Sequence, residues 1–233
     1  MTHFEPEGRT VAYNRPVDWI KQGWRLFLKS PSLWIVLTLV MLLILVALTM
    51  VPVVGQLAAN FLVLIFGAGL LLGCHSLAQG NPLRFDHLFE GFRGEEGTRS
   101  LFLVGLLYLI GLIVIMGITF GIAGGDVMME QPVSAADSGR VLFATLVMLT
   151  LTMPLVMAVW FAPALIIFHH LLPIPAMRAS FSACMKNMGP FTVYSLLLLV
   201  LLILAALPFG LGFLVLLPVL TGAQYASYLD IFE

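Results

Sequence analysis

The chain has 233 residues, 61% of them hydrophobic and 10% charged, with a formal net charge of -1. Soluble domains run to about a quarter charged residues, and nucleic-acid binders present a basic field, so both classes are excluded, as is a disordered chain. A mean hydropathy of +1.05 and only two cysteines leave a polytopic helical membrane protein, not a disulfide scaffold.

Residues 1–15 are polar and read as a mobile tail ahead of a single membrane domain, 16–233. Pro16 opens the first predicted element, an amphipathic helix, since proline suits the first helical position. Val17, Ile20, Trp24, Phe27 and Leu28 fall on one face, opposite Asp18, Lys21, Gln22, Arg25 and Lys29. Apolar runs at 33–51 and 57–78 follow, each about the length that spans a bilayer. Such a late first run, with no cleavage site after it, is expected to stay in the mature protein.

A second amphipathic helix is predicted from Pro82, with Asn81 as N-cap. It sets Phe85, Leu88, Phe89 and Phe92 against Arg84, Asp86, His87, Glu90 and Arg93. Spans three and four occupy 100–122 and 141–168. The third amphipathic helix runs from Pro175 and is expected to end at Gly189. It sets Met177, Phe181, Cys184 and Met188 against Arg178, Ser182, Lys186 and Asn187. Spans five and six, 191–207 and 209–226, are separated by a hairpin at Pro208, Gly210 and Gly212. One continuous helix there would be about 50 Å long, too long for a core of about 30 Å. Because the runs are continuous and do not alternate, a transmembrane β-barrel is not expected.

The fold class is therefore all-α: a six-span transmembrane bundle with three interfacial helices. Ten of the eleven basic residues lie in the N-terminal segment, the second connection and the fourth. The positive-inside rule then puts both termini in the cytoplasm. The pattern of one amphipathic helix followed by one transmembrane hairpin recurs in 16–78, 82–168 and 175–228, which suggests a threefold internal repeat. Trp19, Trp24, Phe27, Phe85, Phe89, Phe92 and Phe181 are the expected membrane-interface residues, since aromatic side chains beside basic ones settle at that boundary.

Chemistry-bearing residues are scarce. Stretches 101–125, 141–168 and 189–229 contain no Asp, Glu, Lys, Arg or His, which disfavours proton coupling and voltage sensing. His169 and His170 are adjacent, point about 100° apart on a helix, and are read as marking the end of span four, not a metal site. No cofactor is expected. Cys74 and Cys184 read as packing residues, and Asp126, Glu130 and Asp137 as solvating the third connection. Gly69 with Gly73, and Gly117 with Gly121, are small-xxx-small pairs suited to close helix approach. Pro154, Pro163 and Pro218 are expected to kink their helices. Asn60, Pro163, Pro218 and Gln224 are the candidates for lining a cavity or packing helices in mid-membrane.

Gly23-Trp24 with Leu26-Phe27, Pro31 and Trp34, then Phe161-Ala162-Pro163-Ala164-Leu165, Ala179-Ser180 with Asn187 and Pro190, and Tyr225 to Phe232 form a pattern across the chain. It resembles a group of six-span inner-membrane proteins of proteobacteria with no assigned activity. More distantly, it is similar to the membrane domain attached to some glycerophosphodiester phosphodiesterases. The resemblance implies a bacterial inner-membrane location. It carries over no catalytic residue, because the hydrolytic domain beside that module has no counterpart here.

Two functions follow as expectations. The first is a non-enzymatic protein that organises membrane lipids and other inner-membrane proteins at the cytoplasmic face, without nucleic acid. The alternative is a transporter or channel for a neutral or lipid-like solute, not ion-coupled through intramembrane charges.

Overall fold

The computed structural model describes residues 4–124 and 137–233, which contain helices and no strand. In chain order the helices are α1 (Arg15–Leu28), α2 (Pro31–Thr49), α3 (Val54–Ala78), α4 (His87–Glu90) and α5 (Glu95–Ala123), followed by α6 (Ser138–Trp160), α7 (Ala162–His169), α8 (Pro173–Lys186), α9 (Met188–Ala206) and α10 (Phe213–Phe232). Among the described residues six stretches are long and apolar enough to cross a membrane: α2, α3, α5, the α6–α7 pair, α9 and α10. They coincide with the six apolar runs. Between α9 and α10 the chain reverses at 207–212, where Phe209 and Gly210 take φ of 52° and 81°.

By alternation, both described chain ends fall at one end of the bundle, the basal end. Here residues 4–14, expected to be a free tail, are held in place. The Glu5 and Arg9 N–H groups donate to the carbonyls of Phe232 and Ile231 at 2.9 and 2.8 Å. Asn187 clamps the same segment: its amide donates to the Arg9 carbonyl (2.9 Å) and its Oδ1 accepts the Val11 N–H (2.8 Å). Asn187 also ends α8, its own N–H reaching the Ala183 and Cys184 carbonyls, so the terminator is this residue and not Gly189. Gly189 instead makes room for the ring of Tyr13.

α3 and α10 are the most enclosed spans, with 44% and 56% of their apolar windows buried, against 6% for the α6–α7 pair. Small side chains explain this. Ala68, Gly69, Gly73 and Cys74 on α3, and Gly222, Ala223, Ala226 and Ser227 on α10, let neighbouring backbones come close, which drives association where lipid is as apolar as protein. Gly69 meets the backbone of His87 and Leu88, as its spacing predicts. Gly117 and Gly121 do not behave this way: a Cβ at either would meet nothing within 4 Å.

Each basal segment rests on the second span of the preceding hairpin. The α4 segment lies on α3, α8 lies on α6 and α7, and α1 lies on α10. The second of these segments is not the helix expected from Pro82. Only His87–Glu90 is helical, because the His87 ring accepts the Arg84 N–H at 2.8 Å and Gly91 and Gly94 break the run. The third begins two residues earlier than expected, at Pro173.

α1 turns a different face inward from the one its periodicity suggests. Pro16, Trp19, Gly23 and Phe27 are buried, while Val17, Trp24 and Leu28 are exposed. The reason is the crossing with α10: Gly23 sits on the Val219 carbonyl and the Ala223 N–H, and Gly222 sits on Gly23. Gly23→Leu is expected to push α1 off α10 and reduce the folded yield severely. Gly117→Leu, facing open space, should leave it near wild type. Size-exclusion profiles and thermal unfolding in one detergent measure the contrast.

Candidate functional site

Span four is broken between α6 and α7, and two other elements repair the break. An unbroken helix would bond the Phe161 N–H to the Met157 carbonyl. Instead Ser180 of α8 inserts its hydroxyl, accepting from Phe161 N–H at 2.9 Å and donating to Met157 O at 2.6 Å. Pro163 has no N–H to return to Val159. On the other side, the Gln224 amide of α10 donates to the Trp160 carbonyl at 2.6 Å. Insertion of a side chain into the helical ladder is a recognised cause of a kink. Pro154 and Pro218, expected to kink their helices, lie within continuous α6 and α10. Of the three prolines, Pro163 marks the discontinuity.

Beside the break lies a cavity of about 640 Å³, bounded by α2, α3, α5, α6, α7 and α10. Of the four residues expected to line a cavity or pack helices, Asn60, Pro163 and Gln224 line it; Pro218 is not in its lining and is buried in α10. Thr49, Gln56, Tyr108 and Trp160 complete the polar lining, and among the described residues no Asp, Glu, Lys, Arg or His contributes. Asn60 donates to the Gln56 carbonyl at 2.9 Å. Its Oδ1, the Gln224 Oε1, the Gln56 amide and the Tyr108 hydroxyl have no hydrogen-bond partner among the described residues. The Trp160 indole N–H is buried and unpartnered.

The basal end carries the charged chemistry. Asp230, in the last turn of α10, accepts two hydrogen bonds from the Arg15 guanidinium at 2.7 Å each and one from the Trp19 indole at 2.9 Å. The hydrogen bond to Asp230 raises the pKa of Arg15. The Trp19 ring packs on Phe191 and Tyr194. Nearby, His75 bonds the Tyr225 hydroxyl (2.8 Å), and His169 shares the Tyr228 hydroxyl (2.6 Å) with Glu233 (2.9 Å). His170 occupies the left-handed C-cap of α7, so the two histidines diverge. Among the described residues no three of His, Cys, Asp and Glu gather as a metal site. Asp137 pairs with Arg140 at 3.7 Å, and Asp126 and Glu130 lie outside the described residues.

Of the expected interface residues, Trp24, Phe85, Phe89, Phe92 and Phe181 are exposed, whereas Trp19 (0%) and Phe27 (5%) are buried and unavailable to lipid. Three of the exposed rings follow one rule. Gly23, Gly91 and Ser180 are buried against the Val219, Ile65 and Met157 carbonyls of their supporting spans. The next residue in each case is an exposed aromatic: Trp24 (45%), Phe92 (43%) and Phe181 (37%). Ser180, Asn187 and the Asp230 cluster were not singled out as sites from sequence. Asp230 did leave a signal, being an acid at the C-terminal end of a helix, where the dipole disfavours it unless a cation is paired with it.

The fold and site define an integral membrane protein with six candidate spans. It is 29% identical over 222 residues to a protein of Burkholderia thailandensis named a probable inner membrane protein, a match covering 89% of this chain and 79% of that one. No family model and no solved structure matches, so the likeness to the phosphodiesterase membrane domain gains no support.

Ser180→Ala leaves the Phe161 N–H and the Met157 carbonyl unpaired, a cost of about 1–3 kcal/mol. A clear fall in thermal midpoint is expected, with Ser180→Thr restoring part of it. Burial pushes the Cys184 thiol up to about 12. It is therefore protonated at neutral pH and should resist maleimide until the protein is denatured. Mass spectrometry of native and denatured samples reads this directly.

Proposed function

We propose that the chain is a non-enzymatic inner-membrane protein that organises lipids, and with them partner proteins, at the cytoplasmic face, where both termini lie. The observation that carries this reading is the set of basal crossings, each burying a small residue and leaving an aromatic ring exposed. Around those rings stand exposed bases: Lys21 and Arg25 near Trp24, Arg93 beside Phe92, and Arg178 near Phe181. Aromatic rings seat a protein at the headgroup level, and each Lys or Arg near an anionic leaflet contributes about 1 kcal/mol. The cyclic placement of the basal segments also supports reading 16–78, 82–168 and 175–228 as repeats. The distribution of basic residues supports the orientation.

The uncharged cavity beside a broken span favours a second reading, movement of a neutral or lipid-like solute. Absence of flux for neutral solutes in proteoliposomes would sink it.

The basal reading is tested with Trp24→Glu, Phe92→Glu and Phe181→Glu combined. These side chains are exposed, so folding should survive. In lipid particles of mixed composition, the variant is expected to lose the anionic lipid enriched around the wild type, as read by lipid mass spectrometry. An unchanged lipid shell and an unchanged set of co-purifying proteins would overturn the reading.

A further inference from the structure

We propose that the cavity beside the broken span is a binding site for the headgroup and one chain of an uncharged lipid bearing hydroxyl and ester oxygens, of the diacylglycerol class. The volume of about 640 Å³ falls within the range of small-molecule sites, about 300–1,000 Å³. Its wall on α3 runs from Gln56 to Leu71, about 22 Å at 1.5 Å per residue. That is roughly two thirds of a hydrocarbon core of about 30 Å, a length that suits a chain lying along the membrane normal.

The lining chooses the headgroup. Among the described residues no ionisable carboxylate, amine, guanidinium or imidazole faces the cavity, so a phosphate or an ammonium would enter without a countercharge from them and lose its hydration. A pure hydrocarbon is also a poor occupant. It would leave the Asn60 Oδ1, Gln224 Oε1, Gln56 amide and Tyr108 hydroxyl unanswered. Hydroxyl and ester oxygens answer both kinds of group: the hydroxyl donates to the amide oxygens, and the ester carbonyls accept from the tyrosine and the amide N–H groups. The aliphatic wall of Val63, Leu64 and Val159 takes the chain.

Gly67 widens the cavity on the α3 side. Glycine weakens a helix interior, and it is usually tolerated where another backbone comes close. Gly67 lines the cavity, yet a Cβ there would meet nothing within 4 Å.

The test uses the full chain in lipid particles, with a photoreactive diacylglycerol and a phosphatidylglycerol carrying the same photoreactive chain. Saturable labelling by the diacylglycerol, one per chain and mapped to α3, α5 or α10, is expected. Gly67→Phe puts a ring into the cavity from a position where the Cβ itself meets nothing, and should lower labelling by about tenfold or more, a loss of about 1.4 kcal/mol in binding per decade. Gly121→Phe, equally open but outside the cavity, should label like wild type and shows that an added ring is tolerated. Asn60→Leu keeps the volume and removes the acceptor, so labelling should fall several-fold. The proposal is overturned by non-saturable labelling, by equal labelling with the phosphatidylglycerol, by no labelling, or by Gly67→Phe labelling like wild type. It does not rest on the basal reading, since the triple glutamate variant is expected to label normally, nor on flux, since occupancy is what is measured.

Discussion

Asp230 holds the two ends of the chain together. It is an acid at the C-terminal turn of a helix, where the dipole opposes it, and it is compensated by the Arg15 guanidinium and the Trp19 indole. Those three hydrogen bonds tie α1 to α10. The Gly23–Gly222 contact lets the two backbones close on each other. Asn187 and the 4–14 segment then follow the same edge. With α1 on α10, α8 on α6–α7 and α4 on α3, each hairpin is joined to the next by a short basal segment, and the bundle closes on itself.

The membrane imposes a second constraint, that every backbone group in its interior find a partner inside the protein. Span four violates helical continuity at Phe161 and Pro163, and the violation is tolerated because Ser180 and Gln224 answer the freed groups from opposite sides. Gln224 therefore serves two surfaces at once. Its amide mends the α6–α7 break, and the residue also lines the cavity. The kink and the cavity thus share one side chain.

Much of this was legible beforehand for a simple reason. Spans are long runs of apolar residues, and bilayer thickness sets their length, so six helices and the split at Pro208 can be counted without knowing any contact. Asn60, Pro163 and Gln224 were legible as cavity residues because amides and proline are costly in hydrocarbon. The inward face of α1 was not legible. Trp19 and Trp24 are equally apolar by composition, and the glycine crossing with α10 together with the partner acid there makes Trp19 the buried one. Pro218 is as much a helix breaker as Pro163 by type, yet it stays within a continuous helix while the ladder opens at the position Ser180 can reach.

The sequence by itself determined the number of spans, the all-helical class and the uncharged character of the interior, because these depend on composition and length alone. Tertiary structure decided the rest: which face of each basal helix is buried, where span four breaks, that residues 4–14 are pinned, and that Gly67 stands open while Gly23 is tightly packed. Each of these depends on which carbonyl, acid or small side chain a neighbour presents. Spacing along one helix carries no record of its neighbour.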